Sequence, residues 1–139
     1  MKAYIDTSVL TGAYCPEPGS KRAQRALAEC DPMISSLTRL EFSSSVAKKF
    51  RAGTFSQAEA GRIVSEFQAH IRESIFEVVP IHESHYALAN DWMDTFATSL
   101  RTLDAMHLSL AHIHKAKLIT ADAALAKAAR ALHVDVRRI

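Results

Sequence analysis

Glycine and proline occur only four times each in this chain, cysteine twice and tryptophan once. The scarce glycines make no Gly-rich phosphate loop, which excludes a P-loop nucleotide site. Cys15 and Cys30 are too few for a disulfide framework and form no CxxC pair, so a reducing compartment is the simpler setting. No uninterrupted apolar run is long enough to cross a bilayer, and Asp6 breaks the opening residues before any leader could form. These absences predict a soluble, cytoplasmic domain with no membrane association. Charge of one sign is missing too: seventeen Lys and Arg against fifteen Asp and Glu leave a net charge of +2. Such a balance does not announce a nucleic-acid binder, and it does not forbid one that places its basic residues locally.

What the chain does have is a 48% hydrophobic fraction over 139 residues, enough for one domain, 1–139, with a real core. Ala3-Tyr4-Ile5 is a short apolar run that ends at Asp6 and leads into Val9, Leu10 and Ala13. The pattern predicts a buried strand running straight into a helix, with a carboxylate at the junction. Pro16 to Gly19 marks a loop, Ser20 can cap a helix carrying Ala23, Ala26 and Leu27, and Asp31-Pro32 breaks it. Met33-Ile34-Ser35 reads as a second strand, and Ser36 as the cap of a helix through Phe42, Val46 and Phe50. Ser56 and Glu59 form a capping box ahead of an amphipathic helix carrying Ala60, Ile63, Val64, Phe67 and Ile71.

Ile75 to Val79, β-branched and aromatic and closed by Pro80, has the clearest strand pattern. A helix over 84–96 is expected to turn Leu88, Trp92, Met93 and Phe96 inward. From Thr102, its expected cap, to His114 the next helix is apolar almost all round, which predicts burial. Leu118-Ile119-Thr120 is a fourth strand, 122–132 an Ala-rich helix, and 134–136 a last strand trailed by Arg137 and Arg138. Short strands alternating with helices imply a three-layer α/β/α sandwich around a parallel sheet. No repeat, linker or low-complexity segment interrupts it.

Four acids fall where strands end and helices begin: Asp6, Glu41, Asp104 and Asp122. Clustered carboxylates repel one another without a compensating cation, and hard oxygen donors suit Mg²⁺ or Mn²⁺ rather than structural zinc. An ion so held can activate water and stabilise a phosphoryl transition state, so the expected chemistry is metal-dependent phosphodiester hydrolysis. Each acid also has a bland explanation. Asp6 and Asp122 can be helix N-caps, and Asp104 can simply offset a helix dipole. On a helical wheel Glu41 lies away from Phe42, Val46 and Phe50, as an ordinary solvated Glu would.

Asp6-Thr7-Ser8-Val9-Leu10 after a strand resembles the opening of PIN domains. Ser35 to Glu41 resembles their second acidic motif, and Leu100 to Leu108 and Leu118 to Asp122 resemble the third and fourth. The compact form with Arg101-Thr102-Leu103-Asp104-Ala105-Met106-His107 is most similar to VapC-type toxins of toxin–antitoxin pairs. The resemblance implies a Mg²⁺- or Mn²⁺-dependent endoribonuclease, usually a homodimer and inhibited by a small antitoxin. It carries the catalytic and metal-binding positions onto Asp6, Glu41, Asp104 and Asp122. Thr7 and Thr120 match the hydroxyl-bearing neighbours that orient carboxylates or water.

Other residues compete for attention. His82 and His85 fall one residue short of the HExxH spacing and read as surface histidines near a helix start. His107 is expected inside the apolar helix with one hydrogen-bonded nitrogen. Lys48, with Arg39 and Arg101, can hold RNA phosphates beside the acidic pocket. Two other functions remain possible at this point: a Mg²⁺-dependent phosphoacceptor domain, and a catalytically silent PIN fold that only binds.

Overall fold

A computed structural model describes residues 1–139. Five short strands form one sheet: β1 (Lys2–Ile5), β2 (Asp31–Ser35), β3 (Glu77–Val79), β4 (Lys117–Thr120) and β5 (Val136–Arg138). Their spatial order is β3-β2-β1-β4-β5 and every pairing is parallel. Seven helices connect them: α1 (Thr7–Tyr14), α2 (Ser20–Ala28), α3 (Ser36–Arg51), α4 (Gln57–Arg72), α5 (Glu83–Asp94), α6 (Thr102–Ile113) and α7 (Ala123–Ala131).

Alternation along the strands builds two cores. Ala3, Ile5, Ile34 and Ile119 face one way and pack with α1 to α4 through Val9, Leu10, Phe42, Val46 and Phe67. Tyr4, Met33 and Leu118 face the other way, against α5 to α7 through Ala89, Leu108, Leu110, Leu125 and Ala129. The result is the expected three-layer α/β/α sandwich, with β1 in the middle of the sheet. α6 is buried continuously from Ala105 to Ala111, as its apolar surface requires.

Several boundaries differ from the sequence-based expectation. Ser20, Ser36 and Thr102 are each the first helical residue, and the capping positions are Gly19, Ser35 and Arg101. Gly19 takes φ 93°, a backbone turn that suits glycine, and the Ser20 hydroxyl donates back to the Cys15 carbonyl at 2.9 Å. Asp31-Pro32 lies inside β2 rather than before it. Pro32 precedes the stretch paired with β3, where a missing N–H is tolerated. β3 is shorter than its pattern suggested, and Ile75 stays half-exposed before it. Phe96, expected inward, is 91% exposed because α5 ends at Asp94 and Phe96 occupies a left-handed turn (φ 54°). The last strand sits two residues later than expected and contains Arg137 and Arg138, which an edge strand leaves in solvent. No helix is long and apolar enough to cross a membrane.

Candidate active site

The carboxyl-end edge of the central strands gathers the acids. β1 and β4 are neighbours, so Asp6 and Thr120, far apart in sequence, meet directly: the Asp6 N–H donates to the Ile119 carbonyl at 3.0 Å. Asp6 occupies the N-cap position of α1 but its side chain makes no capping hydrogen bond. Its Oδ2 instead accepts from the Ser8 hydroxyl and from Thr120 Oγ1 at 2.8 Å, and the residue is buried. A buried carboxylate turned away from its own helix and held by two hydroxyls is oriented for something else. Asp122 behaves differently. It is exposed, and its Oδ1 caps α7 by accepting from Ala124 N–H at 2.7 Å and Leu125 N–H at 3.1 Å.

Thr120 links the two, since its Oγ1 also accepts the Asp122 N–H at 2.9 Å. Thr7 makes no hydrogen bond to a carboxylate, and its buried hydroxyl has no partner within the protein. Ser8 instead reaches Asp6 and accepts the Ala121 N–H at 3.0 Å. The side chains of a helix's first residues diverge around the axis, so only one of two adjacent hydroxyls can reach the junction carboxylate.

Asp104, in the first turn of α6, is partly buried. Burial pushes its carboxyl above the usual range, and the neighbouring Asp122 and Asp6 charges push it further. A backbone hydrogen bond at Arg101 opposes the rise without cancelling it. Glu41 is not the solvated residue that its wheel position suggested. One oxygen bonds His107 Nε2 across the α3–α6 gap, and the side chain is 25% exposed. His107 itself is 1% exposed and uses both nitrogens, for its Nδ1 meets the Tyr4 hydroxyl at 3.0 Å.

The cations divide by helix direction. Arg101, at the N-cap of α6, is exposed at the acidic edge, and Arg39 is exposed in the opening turns of α3. Lys48 lies seven residues past Glu41 on α3, about 10 Å further along the helix, and is exposed. Its neighbour Lys49 pairs at 3.3 Å with Glu17, beyond the far end of α1. Arg101, by contrast, stands three residues from Asp104. His85, expected on the surface, is buried and accepts the His82 N–H on Nδ1 at 2.9 Å.

No group of three or more His, Cys, Asp or Glu side chains converges tightly enough to hold a metal ion. The donor set nevertheless fits Mg²⁺ or Mn²⁺. Its donors are hard oxygens, the recorded bonds of Asp6 leave Oδ1 free, and Asp104 carries repulsion that a cation would relieve. Mg²⁺ keeps several waters and commonly takes only one or two carboxylates from the protein.

The model of the PIN domain family matches residues 3–131. The chain belongs to the PIN domain family. Ribonuclease VapC3 of Pyrobaculum aerophilum is 28% identical over 132 residues, covering 91% of this chain and 94% of that protein. Among solved structures, FitAcB of Neisseria gonorrhoeae superposes with a TM-score of 0.75 at 20% identity, covering 96% of this chain and 95% of that one. A toxin–antitoxin complex from Klebsiella pneumoniae gives a TM-score of 0.62 at 22% identity over 86% of each chain. These likenesses cover between 86% and 96% of this PIN domain. Sequence reasoning passed over Ser8, Tyr4, Ser35 and Thr38 as part of the site. Only the pairing register, which places Tyr4 opposite Met33 and Leu118, shows that Tyr4 points to the α6 side of the sheet.

Proposed function

We propose that this PIN domain, residues 1–139, is a Mg²⁺- or Mn²⁺-dependent endoribonuclease. We take it to be the toxin of a type II toxin–antitoxin pair, a cytoplasmic homodimer restrained by a small antitoxin protein. The observation that carries this reading is the buried Asp6, whose carboxylate leaves its own helix uncapped and is held by Ser8 and Thr120 at the edge that also carries Asp104 and Asp122. Kinship with a protein named as a ribonuclease supports RNA as the substrate, and likeness to a toxin–antitoxin complex supports the antitoxin.

Asp6, Glu41, Asp104 and Asp122 are the residues that would hold the ion. Once bound, it would supply charge for the phosphoryl group and a water of lowered pKa. Ser8 and Thr120 fix Asp6, so its free oxygen is presented without reorganisation when substrate arrives. Arg101 offers a guanidinium for a backbone phosphate, and Arg39, exposed in the opening turns of α3, is a second candidate.

Purified protein should cleave RNA in Mg²⁺ or Mn²⁺ and lose that activity in EDTA. Asp6→Asn and Asp104→Asn should each remove most of it. Cleavage that persists in EDTA, or an undiminished Asp6→Asn protein, would end the nuclease reading. RNA binding without cleavage under any metal would favour the silent binding module.

A further inference from the structure

Glu41 stands apart from the other acids because its position is set by a buried chain of side chains. Four links are present. Ser35 Oγ and Thr38 Oγ1 lie 2.8 Å and 3.1 Å from the Tyr4 hydroxyl. The Tyr4 hydroxyl lies 3.0 Å from His107 Nδ1, and His107 Nε2 bonds Glu41. Tyr4, Ser35, Thr38 and His107 are all at most 1% exposed, so no water competes for these groups.

Hydrogen-bond accounting gives the chain a direction. An ionised Glu41 can only accept, so the hydrogen between it and His107 sits on Nε2. In the neutral ring Nδ1 is then an acceptor, and the Tyr4 hydroxyl donates to it. The Tyr4 oxygen in turn receives hydroxyl hydrogens from Ser35 and Thr38. Burial favours the un-ionised Tyr4 phenol that this requires, raising its pKa above the ordinary value. Ser35 and Thr38 are also held by each other, through the capping box that starts α3. The chain therefore begins at the first turn of α3, crosses β1 and α6, and returns to Glu41 on the same helix. A loop closed in this way fixes Glu41 relative to Asp104, which lies one turn before His107 on α6.

We propose that His107 is a positioning residue, which holds one Glu41 oxygen with its Nε2–H and is itself locked in that tautomer by Tyr4. The proposal rests on the nuclease reading for its consequence, and on geometry alone for its existence. Loss of such supporting partners typically lowers metal affinity or activity by about 10–100-fold.

Two measurements test it. The first needs no activity. In metal-free protein at neutral pH, a slowly exchanging imidazole N–H signal, absent in His107→Gln, should shift in both Glu41→Ala and Tyr4→Phe. A signal indifferent to both changes would overturn the proposal even if the protein cut no RNA. The second compares variants for cleavage. His107→Leu should raise the Mg²⁺ concentration for half-maximal cleavage by at least about 10-fold. His107→Gln, whose amide can still donate to Glu41, should recover most of that loss. A merely structural role would show both variants equally impaired, in proportion to their lowered melting temperatures. Equal Mg²⁺ dependence in wild type and His107→Leu would also overturn it. Wild type inactive with any metal would refute the nuclease reading, and the N–H signal alone would then decide the relay.

Discussion

Two aspartates at equivalent strand-to-helix junctions do opposite things here, and substitution should separate them. Asp122 caps α7 with two backbone hydrogen bonds, whereas Asp6 gives its helix none. Asp122→Ala should therefore cost about 1 kcal/mol in metal-free protein, a fall of roughly 3 °C in melting temperature. Asp6→Asn should melt no lower than wild type without metal, since it removes a repelling charge while nearly keeping shape. A thermal melt of both variants in EDTA checks this. A large loss in Asp6→Asn would make Asp6 structural after all. Asp104 adds a pH dependence. Its carboxyl is raised in the fold, so the folded state holds its proton more tightly than the unfolded chain does. Stability then falls as pH rises through the range above 3.8, the group's ordinary value. Asp104→Asn should accordingly be more stable than metal-free wild type at pH 7, with the advantage vanishing towards acid pH. Denaturant midpoints across that range measure the sign.

Helix direction decides which cations can serve the acidic edge. Arg101 starts α6 there, while Lys48 lies near the other end of α3. Arg101→Ala should weaken RNA binding and reduce its salt slope by about one phosphate contact, and Lys48→Ala should leave both nearly unchanged. Binding titrations over a range of salt concentrations would reveal an equal effect of the two, which would refute the assignment. The same contrast shows what the sequence could and could not convey. The strand, helix and acid order was legible, because apolar alternation and helical spacing are local signals. Glu41 was not: its wheel position reports the neighbours on α3, whereas its partner His107 comes from α6. Ser8 over Thr7 was equally hidden, since both are hydroxyls and only the placement of β4 chooses between them. The cap of α3 was misplaced by one residue because Ser35-Ser36 offers two candidates and only backbone geometry picks one, whereas the Ser56 capping box stands where it was expected.

For the molecule as a whole, bound metal should act as a stabiliser. An ion that binds only the folded state adds about 1.4 kcal/mol at ten times its dissociation constant. That corresponds to roughly 3–6 °C in melting temperature for a domain of this size. Wild type should show the rise with Mg²⁺ or Mn²⁺, and Asp6→Asn should show much less. Equal shifts in calorimetry would mean that the ion binds elsewhere.

The strand order also governs when the site can exist during synthesis. β1 is the middle of the sheet and precedes the other four strands in sequence, yet one of its two flanking strands, β4, comes after both β2 and β3. The hydrogen bond from Thr120 to Asp6 spans 114 residues, so Asp6 is not locked until β4 has been made. A nascent chain on the ribosome can pair β1 with β2 and β2 with β3 and still lack Thr120, Asp122 and a complete acidic edge. If the domain cuts RNA as proposed, it would thereby be kept harmless to the messenger and ribosome producing it until β4 has joined the sheet.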